Sequence, residues 1–114
     1  MAMTLADVRR LALALPEATE QDHHGMASFR IRGKIFATIP DGCHVRVMLD
    51  EEDVLAAVAE DSAACSPLRW GSRIACVVVE LAHAQPVLVE ELVTDAWRRR
   101  APRALVREHD AASS

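Results

Sequence analysis

The chain has 114 residues, a formal net charge of −4 and only 4% aromatic residues. This length fits one domain, and the 51% of apolar residues are enough for one core built mostly from aliphatic side chains. An acidic balance argues against a dedicated nucleic-acid-binding chain, although an acidic domain can still present a basic face. Neither a membrane span nor a secretory signal is recognisable, so we predict a cytoplasmic protein without a membrane partner.

The first predicted element is a helix over residues 5–15. Thr4 and Asp7 resemble a capping box, apolar residues then recur at helical spacing, and Pro16 ends the pattern. Residues 16–25 are polar and rich in turn-forming types, so we expect turns there.

Three short alternating runs follow, over residues 29–32, 34–39 and 43–49. Gly33 separates the first run from the second, and Asp41-Gly42 separates the second from the third. This arrangement predicts an antiparallel meander. In the second run, alternation places Phe36 on the face opposite to its apolar neighbours Ile35, Ala37 and Ile39.

The second half of the chain predicts two more helices and one more strand. Asp50 caps a helix with an acidic first turn, and a loop over residues 61–71 precedes a β-branched strand at residues 74–81. Pro86 fits the first position of the last helix, and the arginines at 98–100 offset the negative dipole end of that helix.

These elements predict the α+β fold class. The sheet is expected to be antiparallel with at least four strands, flanked by N-terminal, middle and C-terminal helices. We assign residues 1–107 to the single domain and expect residues 108–114 to form a frayed C-terminal tail.

Two constellations of reactive side chains offer weak alternatives to a binding function. The cysteines lack the spacing of a disulfide framework, and apolar neighbours predict buried thiols at Cys43 and Cys76, so a cysteine nucleophile is disfavoured. Asp22, His23 and His24 could ligate a metal only if other segments converged on them. We therefore predict no enzyme activity, no metal site and no cofactor.

A basic set of side chains is the stronger functional signal. Strand alternation places Arg30 and Arg32 on one face, with Lys34 at the hairpin tip and Arg46 on the third strand nearby. Four cations on one exposed sheet face could contact the phosphates of nucleic acid, or they could only keep that face in solvent.

The stretch from Glu20 to Pro40 resembles the signature of the MmcQ/YjbR family of small bacterial proteins. Its core is the pattern Phe-x-x-x-Gly-Lys-x-Phe-Ala, which begins at Phe29. Leu15-Pro16, Ser66-Pro67, Trp70-Gly71 and Ala96-Trp97 agree with it, so the resemblance covers residues 4–106. The chain departs from the family pattern at His24, where relatives often have Trp, at Ala27, where they often have Pro, and after Gly71, where an aromatic residue is absent.

The resemblance implies a CyaY-like fold and a DNA-binding role of the kind proposed for the family. The residues we infer for such a role are the basic set: Arg30, Arg32, Lys34 and Arg46. The alternative is a non-catalytic module for a small ligand or a protein partner, with a cleft formed by His23, His24 and Trp70.

Overall fold

The structure is a computed structural model that describes residues 2–113 and, for residue 113, the backbone only. Six strands form one sheet in the order β1-β2-β3-β4-β6-β5, and every neighbouring pair is antiparallel. The predicted α+β class and antiparallel meander are therefore confirmed. The elements in chain order are α1 (Leu5–Ala14), β1 (Ala18–His23), β2 (Met26–Ile31), β3 (Lys34–Ile39), β4 (His44–Val47), α2 (Glu51–Glu60), β5 (Cys65–Trp70), β6 (Arg73–Glu80), α3 (Pro86–Arg100) and α4 (Arg103–Ser113).

The helices begin where the sequence provides capping groups. The Thr4 hydroxyl accepts from the Asp7 amide at 3.1 Å while the Asp7 carboxylate accepts from the Thr4 amide at 2.9 Å, which completes a capping box at α1. The Asp50 carboxylate accepts from the Asp53 amide at the start of α2, and Pro86 is the first residue of α3. None of the helices in the described chain is long and apolar enough to span a membrane.

Helices α1, α2 and α3 pack against one face of the sheet, and the core lies between the two layers. A row of side chains that runs across four neighbouring strands is completely buried there: Phe29, Ala37, Val47 and Val77. Trp97 of α3 is also completely buried, and its indole N–H donates to the carbonyl oxygen of Pro16 at 3.1 Å. This bond joins the last third of the chain to the segment that links α1 to β1.

A β-bulge in β3 changes the predicted face of two side chains. The register pairs Phe29 with Ala37 but the next residue, Arg30, with Ile35, so Phe36 is an extra residue on β3. Phe36 consequently joins the core beside Ala37, and Ile35 lies on the opposite face. The simple alternation predicted for residues 34–39 is wrong at these two positions because a bulge adds one residue to one strand only.

Two hairpins close with tight two-residue turns, His24-Gly25 and Arg32-Gly33, in which all four φ angles are positive. These are the backbone signs of a type I′ turn, which suits the twist of an antiparallel hairpin. β2 therefore ends at Ile31, and Arg32 lies in the turn with φ 51°. The prediction that Arg30 and Arg32 share a strand face is wrong because the alternation stops one residue before Arg32.

The structure differs from the sequence-based expectation at four further places. The polar stretch after α1 contains strand β1, and the loop predicted over residues 61–71 contains strand β5, because pairing with a neighbouring strand outweighs local composition. Residues 108–113, predicted to fray, form the end of α4, while Ser114 lies outside the described residues. Cys43 is exposed because it precedes β4, in a turn where the Asp41 carboxylate accepts from its amide, whereas Cys76 is buried as predicted.

The two tryptophans provide a test of this layering. Trp97→Ala is expected to lower the free energy of unfolding by about 3–5 kcal/mol, because it leaves a large cavity and an unpaired Pro16 carbonyl. Trp70→Ala is the matched control, since Trp70 is 70% exposed, and we expect it to change stability by about 0.5 kcal/mol or less. Urea titrations followed by circular dichroism measure both changes, and equal losses would contradict the assignment of the core.

Candidate functional site

The face of the sheet opposite the helices carries a concave pocket of ≈ 410 Å³. Antiparallel register places Thr38 and Arg46 directly across from each other on this face, one residue out of phase with the buried row. The volume falls within the roughly 300–1,000 Å³ typical of small-ligand sites. We refer to this concavity as the sheet-face pocket; it is lined by His23, Met26, Arg30, Gly33, Lys34, Ile35, Thr38, Arg46, Met48, Leu68, Trp70, Cys76 and Arg100.

Four cationic side chains line the sheet-face pocket: Arg30, Lys34, Arg46 and Arg100. The described lining of this pocket contains no carboxylate. None of the four forms an ion pair with any described residue. This clustering contrasts with the acidic balance of the whole chain. The pocket is therefore a local concentration of positive charge that attracts anions.

A chain of hydrogen bonds positions one of these cations. The buried Ser28 hydroxyl donates to the Gln21 carbonyl at 2.8 Å and accepts from Arg30 Nε at 3.1 Å. Arg30 is thereby tied to β1 through Ser28, and its two terminal nitrogens stay available for a ligand. Such a fork binds carboxylate or phosphate with two parallel hydrogen bonds.

Three buried polar atoms of the pocket lining have no hydrogen-bond partner among the described residues: Thr38 Oγ1, Arg46 Nε and Arg100 Nε. Buried polar groups are nearly always paired, so three such atoms around one concavity indicate an interaction that the chain alone does not complete. Burial, followed by repulsion from Arg99, lowers the pKa of Arg100. The negative charge of an anion bound beside Arg100 would oppose this lowering of the pKa.

The apolar lining distinguishes this pocket from an ordinary charged surface. Aliphatic and sulfur-containing side chains form part of the wall: Met26, Ile35, Met48, Leu68 and Cys76. Burial raises the pKa of the Cys76 thiol, although the charge of Arg46 opposes that shift, so the group stays protonated at neutral pH. Cys76 consequently contributes apolar surface and not a thiolate.

A second cavity of ≈ 620 Å³ adjoins the first, and the two share Met48, Trp70 and Arg100. Its lining adds Arg73 and Arg99 but also the carboxylates of Asp50 and Glu51. Trp70 stands between the cavities with 70% of its surface exposed, which is unusual for so large an apolar side chain. Of these two cavities, the sheet-face pocket is thus the one whose described lining has positive charge and no carboxylate.

The structure brings together most of the side chains that the sequence suggested for two separate sites. Arg30, Lys34 and Arg46 of the basic set line the same pocket as His23 and Trp70 of the predicted cleft. The two hypotheses therefore concern one location, and the roles of these residues stay predictions.

Arg32 and His24 are the two predicted site residues that the structure places elsewhere. Arg32 forms a two-bonded ion pair with Glu17, at 2.9 and 3.1 Å, which lowers the pKa of Glu17. His24 lies in the β1–β2 turn, with its ring centroid 4.6 Å from that of His23. Within the described residues, no group of three or more His, Cys, Asp or Glu side chains is arranged to hold a metal ion.

Sequence reasoning missed Arg100 and Thr38. The arginines at 98–100 have a sufficient local explanation as cations at a helix end, and nothing local indicates that Arg100 lines a pocket together with sheet residues. For Thr38, the sequence indicates only a strand position. The shared lining depends on where α3 ends relative to β3 and β4, and this is a tertiary property.

Two hydroxyl groups that face each other across β2 and β3 test whether the pocket is incomplete. Ser28→Ala is expected to destabilise the protein by about 1–2 kcal/mol, because it leaves the Gln21 carbonyl and Arg30 Nε without their partner. Thr38→Val is expected to be neutral or to stabilise by about 1 kcal/mol, since it replaces an unpaired buried hydroxyl by a methyl group. Chemical denaturation of both variants measures the difference, and a clear loss for Thr38→Val would show that its hydroxyl is paired.

Comparisons with known proteins place this chain in a family. The crystal structure of protein DR2400 from Deinococcus radiodurans, described as containing a DUF419 domain, is similar to this chain with a TM-score of 0.73. The two share 17% sequence identity over 94% of this chain and 88% of that one, so this likeness concerns the fold. No curated protein matches the sequence. The YjbR family model matches residues 13–99, which is most of the chain and includes most of the pocket lining, and the chain therefore belongs to the YjbR family.

Proposed function

We propose that the protein is a non-catalytic binding module that holds nucleic acid by its phosphates at the sheet-face pocket. The observation that carries this proposal is the set of four cations without a carboxylate in one concavity of a chain with net charge −4. DNA is the partner that we propose, in agreement with the expectation drawn from the sequence. The proposed cytoplasmic location would give such a module access to it.

The contact set differs from the one inferred from the sequence by one exchange. Arg100 takes the place of Arg32, since Arg32 is already paired with Glu17 and does not line the pocket. Arg30, Lys34 and Arg46 keep the proposed role. Phosphate contacts from such side chains provide affinity without sequence specificity, because they carry no information about the bases.

A non-catalytic site for a small anionic ligand is the second candidate. The observation in its favour is the apolar part of the pocket wall together with a volume of ≈ 410 Å³. Contact with the phosphate backbone of nucleic acid alone requires neither of these features. Both candidates need the same cations. They differ in whether affinity depends on a polymer and, through counterion release, on salt.

The first test is a fluorescence anisotropy titration of labelled DNA, in single-stranded and duplex forms, at about 50 and 200 mM salt. Binding in the micromolar range at low salt, with a steep loss at the higher salt, is expected. The double variant Arg46→Met, Arg100→Met should weaken binding and flatten the plot of log affinity against log salt by up to about two units, because each arginine neutralises one phosphate.

A control with the same change in charge uses arginines that already have partners. Arg9 and Arg32 each donate two hydrogen bonds to a glutamate, Glu20 and Glu17 respectively. The double variant Arg9→Met, Arg32→Met should therefore retain nearly the parental salt dependence. A concentration of about 100 μM corresponds to the weakest typical non-specific binding of DNA. If neither form of DNA binds at this protein concentration in low salt, the proposed function is wrong.

A further inference from the structure

We propose that the sheet-face pocket takes one unstacked nucleotide, with its phosphate against Arg46, Arg100 and Thr38 and its base against Trp70. This inference rests on the proposed function and specifies what enters the same site. The shared chemistry is a phosphate group carried next to an aromatic ring. Its two possible sources are a free mononucleotide and a nucleotide within a single strand, and the experiment below separates them.

The phosphate position follows from the unpaired polar atoms. Arg46 and Arg100 come from β4 and from the end of α3, and Thr38 lies directly across from Arg46 on β3. The two guanidinium groups supply charged donors and the hydroxyl supplies a neutral one, a mixture that suits the several oxygens of a phosphate. No described carboxylate lines the pocket to compete for these donors.

The base position follows from Trp70 and the apolar wall. Trp70 is 70% exposed at the junction of the two cavities, so a face of its indole ring is open to stacking. Met48 lines both cavities beside Trp70 and adds a flexible apolar contact. Base stacking on an aromatic side chain accepts any base, because every base has a π face.

Duplex DNA fits these features less well than a single nucleotide does. A base in a duplex is stacked and paired, so it must be extruded before it can contact Trp70 or enter a concavity of ≈ 410 Å³. The neighbouring larger cavity has a lining of mixed charge, with Asp50 and Glu51 beside its arginines, so it is less favourable to a second phosphate than the sheet-face pocket. The pocket is therefore suited to the phosphate of one nucleotide and not to a continuous track of phosphates.

The experiment is isothermal titration calorimetry of the full chain with five probes: a nucleoside monophosphate, the matching nucleoside, inorganic phosphate, a short single-stranded oligonucleotide and the duplex of that oligonucleotide. We expect the monophosphate to bind more tightly than either the nucleoside or inorganic phosphate, and the single strand to bind more tightly than the duplex. Trp70→Ala should weaken binding of the monophosphate by about 5-fold to 150-fold, the range of one base stack, and leave binding of inorganic phosphate unchanged.

Variants separate the phosphate position from the base position. Arg46→Met with Arg100→Met should weaken the monophosphate and inorganic phosphate together, whereas Arg32→Met, which removes a paired arginine outside the pocket, should change neither. The Nε–H resonances of Arg46 and Arg100 in ¹⁵N NMR spectra, assigned with the same variants, should shift on addition of the monophosphate.

Each other outcome overturns a specific statement. Duplex that binds at least as tightly as single strand, without competition by the monophosphate, overturns this inference and leaves the proposed function intact. Inorganic phosphate that binds as tightly as the monophosphate overturns the base position. Monophosphate binding without any binding of oligonucleotides overturns the proposed function and assigns the pocket to a free nucleotide. Absence of binding by all probes overturns both proposals.

Discussion

A six-stranded sheet with a helical layer on only one face is the constraint on which the rest of this structure depends. The helices bury the side chains on one face of the sheet. The opposite face has no helical layer, so either long side chains of the strands or a bound partner must cover it. Short polar residues alone would leave that face open. Long arginine and methionine side chains cover it in part, and the concavity between them is the sheet-face pocket.

The arginines of the sheet-face pocket differ in their partners from four arginines elsewhere in the chain. Outside the pocket, Arg9, Arg10, Arg32 and Arg98 lie within ion-pair distance of carboxylates. These exposed pairs contribute little to stability because solvent screens their charges. Inside the pocket, the cations have no such partners among the described residues, and three buried polar atoms are unpaired. Four arginines outside the pocket thus have carboxylate partners that the cations of the pocket lack.

If a ligand occupies the pocket as we propose, its binding is expected to increase the stability of the protein. An unpaired buried polar atom costs about 1–3 kcal/mol, and a ligand that supplies the missing partner recovers that free energy on binding. Ser28 and Thr38 lie opposite each other on paired strands and differ in this respect. The Ser28 hydroxyl has two hydrogen-bond partners, whereas the Thr38 hydroxyl has none among the described residues. A paired hydroxyl that stabilises the fold and an unpaired hydroxyl that we propose as a ligand contact thus lie side by side on one sheet.

The sequence by itself determined the local elements of this protein. The capping box at Thr4, the cap at Asp50, Pro86 at the start of α3 and the alternation in β2 and β4 are properties of neighbouring residues, so they were predictable from spacing alone. Tertiary structure decided the features that depend on pairing partners. The polar strand β1 and the strand β5 exist because an edge of the sheet pairs with them.

The candidate site was predictable only in part for the same reason. Arg30, Lys34 and Arg46 belong to the meander, and their location was within reach of strand alternation. Arg32 was misplaced because a positive-φ turn replaced the last strand residue, and Phe36 because of a bulge. Arg100 joined the pocket from a helix 54 residues beyond Arg46, a juxtaposition set by the packing of α3 on the sheet, which sequence spacing does not encode.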